Sequence, residues 1–146
     1  MKTDFETLRS LARYTLDHLV DRRYVIFAPE NRENLVEELA TEYGVSFSTE
    51  EDIKEQAIEE VEDKLGEGNV PDNIAETEMY NHARKEIIKS FQGETISGLY
   101  LVESLHQVAG RVSSFLLKSA FIEDVFASDE ELSSLLVQKI RTFTQK

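Results

Sequence analysis

Three histidines are the residues of this chain best suited to proton transfer or metal binding near neutral pH. Glu103 and His106 have the Glu-x-x-His spacing with which one helix supplies two ligands to a di-iron carboxylate site, but no second copy of the pair occurs. Glu78 and His82 are four residues apart and face the same side of a helix. Acidic helices also produce such pairs by chance. These four residues define one hypothesis, a metal-dependent enzyme with a mixed Glu/His site.

Other catalytic signatures are missing from the sequence. It contains no cysteine, which excludes disulfides, thiolate metal sites and a cysteine nucleophile. It also has no phosphate-binding loop of the G-x-x-x-x-G-K-[ST] or G-x-G-x-x-G type, no G-x-S-x-G nucleophile elbow and no EF-hand loop. We therefore expect no cofactor, and we expect a protein that is not an enzyme.

Negative charge is concentrated in the middle of the chain. Residues 30–78 hold 17 acidic and three basic residues, a net charge of −14, whereas the whole chain has −13. Such a field repels nucleic acid, so we expect none as a ligand. The charge indicates either a solvated face that keeps the protein soluble or a surface that binds a basic protein partner. The candidate partner-binding residues are Glu37, Glu38, Glu51, Glu55, Glu59 and Glu62.

The length and hydropathy of the chain limit the number of domains and the cellular location that we expect. With 146 residues, of which 40% are hydrophobic, we expect one domain over 1–146. The first ten residues are polar and lack the pattern of a signal peptide, and no apolar run reaches 18 residues. We therefore expect a soluble cytoplasmic protein without membrane contact.

Apolar periodicity and capping signals define the elements of the first half. Thr3 with Glu6, and Ser48 with Glu51, have the spacing of a capping box, and Gly44 is a natural helix stop. The predicted elements are a helix over 4–21, an extended segment over 24–27, a helix from Pro29 to Tyr43, an extended segment over 45–47 and a helix over 48–65.

The second half is less charged and follows a glycine- and proline-containing loop at 66–73. The predicted elements are a helix over 74–91, a long helix over 96–118, an extended segment over 121–126 and a last helix that Ser128 caps. Gly98 and Gly110 fall inside the long helix, where each either allows close packing or marks a kink. The unbroken apolar run Leu99–Val102 predicts that part of this helix faces a second subunit, which makes a homo-oligomer one expectation.

An extended segment followed by a capped helix occurs twice, as YVIFAPENRENL at 24–35 and IEDVFASDEEL at 122–132. Each copy contains the dipeptide Phe-Ala. The pattern predicts a mainly α fold of five to six helices, in two related helix–strand–helix halves over 1–66 and 74–146. The segments 24–27 and 121–126 either pair as a small two-stranded antiparallel ribbon or remain irregular connectors.

These same segments resemble a known family. The stretch IEDVFASDEELSSLL at 122–136, preceded by LLKSAF, and the stretch LARYTLDHLVDRRYVIFAPENRENL at 11–35 are similar to the bacterial family named domain of unknown function 507. The resemblance covers about 45 residues well. It implies a helical architecture in which both halves repeat one unit, and it brings no catalytic residues and no ligand.

Three functions follow as hypotheses. The first is a non-enzymatic interaction module that binds a basic protein through its acidic middle helices. The second is a small acidic cytosolic chaperone, a class that is usually rich in β-sheet. The third is the metal-dependent enzyme.

Overall fold

A computed structural model of the protein describes residues 4–66, 76–91 and 95–143. The helices within these ranges are α1 (Asp4–Asp21), α2 (Arg32–Ser46), α3 (Glu50–Gly66), α4 (Glu76–Lys89), α5 (Leu105–Lys118) and α6 (Asp129–Thr142). The strands are β1 (Val25–Ile26), β2 (Phe47–Ser48), β3 (Thr95–Ile96), β4 (Leu99–Leu101) and β5 (Asp124–Val125). The predicted mainly α fold is confirmed.

Four helices, α1, α2, α5 and α6, form the body of the molecule around its main hydrophobic core. Their apolar residues recur every three or four positions, so each helix presents one apolar stripe to the others. Leu11, Leu35, Val108 and Leu136 are fully or almost fully buried in this core. Most of the buried apolar side chains of the described chain lie here, so the body carries most of the hydrophobic stabilisation.

A two-stranded antiparallel ribbon joins the two helix pairs of the body. Val25 of β1 lies opposite Val125 of β5, and Ile26 lies opposite Asp124. The Phe126 N–H donates to the Tyr24 carbonyl oxygen at 2.7 Å. The predicted ribbon is therefore confirmed, and it connects the segment after α1 with the segment after α5. The relation of the two halves by duplication stays a prediction.

The predicted helix over 96–118 is wrong in its first part. Residues 95–101 form a hairpin instead, with Thr95 opposite Tyr100 and Ile96 opposite Leu99. Its two central residues, Ser97 and Gly98, have φ of 50° and 83°, and positive φ at both positions is what a type I′ hairpin turn requires. The helix begins only at Leu105.

The hairpin also explains the apolar run Leu99–Val102. Leu99 and Leu101 are buried, whereas Tyr100 between them is half-buried, because alternate side chains of a strand point to opposite faces. β4 pairs with β2 as well, which places Phe47 opposite Leu101. The chain itself therefore covers Leu99 and Leu101, whereas Val102 is 43% exposed, and the homo-oligomer stays a prediction.

Helix boundaries follow local capping, and one predicted cap is wrong. The Thr49 hydroxyl accepts from the Asp52 N–H at 3.1 Å and the Asp52 carboxylate accepts from the Thr49 N–H, so Thr49 rather than Ser48 caps α3. α2 continues past Gly44 to Ser46. The cap of α6 at Ser128 is confirmed, with a reciprocal bond to Glu131. The predicted Thr3 cap and most of the loop at 66–73 lie outside the described residues.

We call α3 and α4 the arm, because they pack chiefly against each other. They bury a small core of their own, made of Ile53, Ala57, Val61, Ala83 and Ile87. The three-stranded sheet β2-β4-β3 connects this arm to the body, and Tyr100 of β4 packs against Phe91 with ring centroids 5.9 Å apart. None of the described helices is both long and apolar enough to cross a membrane.

Candidate functional site

The outer side of α3 carries a row of exposed carboxylates. Ile53, Ala57 and Val61 recur every four residues and are buried against α4. At 3.6 residues per turn, the four exposed glutamates at intermediate positions project from the opposite side of the helix. We call these four residues the acidic face: Glu51, Glu55, Glu59 and Glu62.

No cation of the described part of the chain forms an ion pair with the acidic face. α3 as a whole has eight acidic and two basic residues. Glu51, Glu55 and Glu59 stand at successive i,i+4 positions, where like charges destabilise a helix by about 0.2–0.5 kcal/mol per pair. The acidic face therefore costs the isolated arm some stability, and a cationic partner would relieve that repulsion.

A shallow groove of about 320 Å³ adjoins the acidic face. Ile58, Leu65 and Tyr80 are among its apolar lining residues, and Glu62 and Glu76 are its acidic ones. Ile58 and Leu65 are large apolar side chains that remain exposed. The arm thus presents apolar and acidic groups side by side, which matches the two faces of a basic amphipathic segment.

The other two predicted partner-binding residues belong to α2 in the body. Glu37 already has a cation, because Arg9 donates to its carboxylate from Nε at 2.6 Å and from Nη2 at 3.4 Å. Glu38 is half-buried and lines a separate shallow groove with Arg111 and Lys118. The structure therefore separates these two glutamates from the four of the acidic face.

A cluster of three polar side chains holds the arm against the sheet. Arg84 of α4 donates from Nη2 to both carboxylate oxygens of Glu50, at 2.8 and 2.9 Å, and Tyr100 donates from its hydroxyl to the same carboxylate at 2.6 Å. The hydrogen bond from Tyr100, followed by that from Arg84, lowers the pKa of Glu50. Glu50 in turn raises the pKa of Tyr100. Sequence reasoning missed this cluster, because its members are 16 to 50 positions apart and share no local pattern.

The predicted metal ligands do not come together in one site. Glu78 and His82 are exposed on α4, and His106 is exposed on α5. The carboxylate of Glu103 is occupied, since it accepts from Ser46 Oγ at 2.7 Å and from Arg111 Nη2 at 2.9 Å. Within the described ranges, no group of three or more histidine, aspartate or glutamate side chains is arranged to hold a metal ion.

Comparison with protein-family models, with curated proteins and with solved structures finds no match to this chain. The geometry of the described residues makes the acidic face of the arm the candidate functional site.

Proposed function

We propose that this protein is a non-enzymatic interaction module whose arm binds a cationic segment of another protein. The observation that carries the proposal is the acidic face: four exposed carboxylates on one side of α3, without an ion pair from the described part of the chain. Their uncompensated charge is available to lysine and arginine side chains of a partner.

The physical basis of recognition is electrostatic attraction combined with a small apolar contact. A surface of one sign attracts an oppositely charged partner and increases the association rate. Salt weakens this attraction, because dissolved ions screen exposed charges that are farther apart than the Debye length, which is about 10 Å at 0.1 M ionic strength. The exposed Ile58 and Leu65 add apolar area beside the charges. We therefore expect a basic amphipathic helix to bind better than an unstructured basic chain.

Charge-neutralising variants of α3 test the proposal. We would combine Glu55→Gln, Glu59→Gln and Glu62→Gln and measure retention of the protein on an immobilised lysine-rich amphipathic helical peptide. We expect the variant to be retained less than the wild type, because three of the four attracting charges are gone. Its thermal stability should be equal or slightly higher, because repulsion along α3 is also removed.

The matched control removes the same charge from the body through Glu30→Gln, Glu123→Gln and Glu130→Gln. These three side chains are exposed and form no ion pair with the described residues. The control should be retained like the wild type. Equal retention of both triple variants would refute the proposal, because it would show that only net charge matters.

As part of the same proposal, we place the protein in the bacterial cytoplasm, on the basis of its sequence alone. No structural observation favours the chaperone hypothesis, whose class is usually rich in sheet, or the metal-dependent enzyme. Elemental analysis of protein purified without added metal decides the latter, and a metal retained in stoichiometric amount would revive it.

A further inference from the structure

A second groove lies on the body, where the end of α1, the β1–β5 ribbon and the entry to α2 meet. Its volume is about 620 Å³. Three of its lining side chains are large apolar groups with substantial exposure: Val20 at 40%, Ile26 at 46% and Phe126 at 59%. Exposed apolar groups gathered in one groove mark an interaction surface more strongly than scattered ones do.

The groove contains the phenylalanine of each repeated Phe-Ala dipeptide. Phe27 follows β1 and Phe126 follows β5, and both line the groove. Phe27 packs partly against the main core, whereas Phe126 is more than half exposed. Core packing therefore does not account for Phe126.

Two guanidinium groups, from Arg23 and Arg32, are the charged groups among the described residues that line the groove, and no carboxylate lines it. Arg32 donates to Asp17 through Nη2 at 2.7 Å, which leaves further donors of its fork unused by that contact. Arg23 forms no ion pair with the described residues. Asp17 thus balances the charge of Arg32, and Asp124 stands opposite Ile26 in the ribbon, so Arg23 is the lining cation whose charge is not balanced by an ion pair with the described residues.

The backbone of Arg23 has the left-handed conformation, with φ of 61°. The Tyr24 N–H donates to the Leu19 carbonyl oxygen at 3.0 Å and the Arg23 N–H donates to that of Val20 at 2.9 Å, which is the bonding of a Schellman motif at the end of α1. Glycine is the usual residue at this position of the motif. An arginine here adds backbone strain and contributes a cation to the groove.

We propose that this groove binds an acidic segment of a partner protein, with aliphatic or aromatic side chains against Ile26 and Phe126 and a carboxylate on Arg23. The anionic character of the segment follows from charge complementarity to Arg23, a lining guanidinium group without an ion pair among the described residues. The expected ligand is a peptide rather than a small molecule, because the groove is open and Phe126 and Ile26 remain exposed along the ribbon. This site is independent of the acidic face.

Selection from a random peptide library displayed on phage tests the proposal with the full chain as bait. We expect selected peptides to combine Asp or Glu with Leu, Ile or Phe. Arg23→Gly should then weaken their binding about tenfold, the usual effect of losing a charge-assisted hydrogen bond. Because glycine suits the left-handed position, this variant should fold at least as stably as the wild type. Phe126→Ser should also weaken binding about tenfold.

The controls are Arg141→Glu and Leu117→Ser, which change an exposed arginine and an exposed leucine outside the groove. Both should bind the selected peptides within about twofold of the wild type. Selection of basic or purely polar peptides, or full binding by Arg23→Gly, would overturn the proposal. Self-association that Phe126→Ser abolishes would also overturn it, by assigning the groove to a second copy of the chain.

Discussion

On α3, Glu50 differs from the glutamates of the acidic face in how its charge is compensated. Glu50 is held by Arg84 and Tyr100, and these contacts fix the arm to β4. The glutamates of the acidic face have no such contacts with the described residues, so removal of one of them should cost little stability. The difference separates a structural carboxylate from those available to a partner.

Glu50→Gln should lower the melting temperature at about pH 7 more than at about pH 3. The folded protein lowers the pKa of Glu50 from 4.5 through hydrogen bonds with Tyr100 and Arg84. A carboxyl with a lowered folded pKa stabilises the fold above its unfolded pKa, and this contribution is lost as pH falls through the folded pKa. Thermal unfolding followed by circular dichroism at both pH values measures the difference, which should be small because Glu50 is about half exposed.

The control for this prediction is Glu59→Gln on the same helix. Glu59 has no ion-pair partner among the described residues, so its replacement should not lower the melting temperature at either pH. An equal loss for Glu50→Gln at both pH values would show that the cluster does not stabilise the charged carboxylate.

At the scale of elements, local signals were predictable and contacts distant in sequence were not. The Ser128 cap could be read from the sequence because the partner Glu131 is three residues away. The hairpin at 95–101 was missed because Ile96, Leu99 and Val102 also fit a helical stripe. The Ser97-Gly98 dipeptide between the pairs Thr95-Ile96 and Leu99-Tyr100, which have high strand propensity except for leucine, was the available signal for a two-residue turn. The pairing of β4 with β2, more than 50 residues earlier, has no local signature.

Gly110→Ala should stabilise the protein by about 1 kcal/mol. Gly110 lies inside α5, and a Cβ atom built there meets no atom within 4 Å, so neither close packing nor a strained φ requires glycine. Alanine has the higher helix propensity and loses less backbone entropy on folding. Thermal or urea unfolding should show the increase, which corresponds to a rise in melting temperature of about 2–4 °C.

Gly98→Ala should change the stability in the opposite direction. Gly98 also has open space around it, but its φ of +83° strains any L side chain. This variant should be less stable than the wild type. Destabilisation by Gly110→Ala would contradict the open space around Gly110 in α5.

At the scale of the whole molecule, the arm has much less core than the body. Among the described residues, the cluster of the arm buries five apolar residues, whereas the main cluster buries 25. Local unfolding requires least free energy where few apolar contacts are lost. The prediction from sequence of one domain with an acidic middle did not include this division, because it depends on which helices pack together.

Amide hydrogen exchange should therefore be faster in α3 and α4 than in α1 and α5. We expect the amides of Ile53 and Ala57 to exchange through opening of the arm alone, and those of Leu11 and Val112 only through global unfolding. Native-state exchange measured at increasing denaturant distinguishes the two processes. Equal protection in both regions would show that arm and body unfold as one unit.

Binding by the acidic face is most directly tested by titrating the isotope-labelled protein with a lysine-rich amphipathic helical peptide and following the backbone amides by NMR. We predict saturable shifts at Glu51, Glu55, Glu59 and Glu62 and at Ile58 beside them, which weaken as salt is raised. Absence of shifts on α3, or shifts confined to the body, would contradict the proposal that the arm binds a cationic partner.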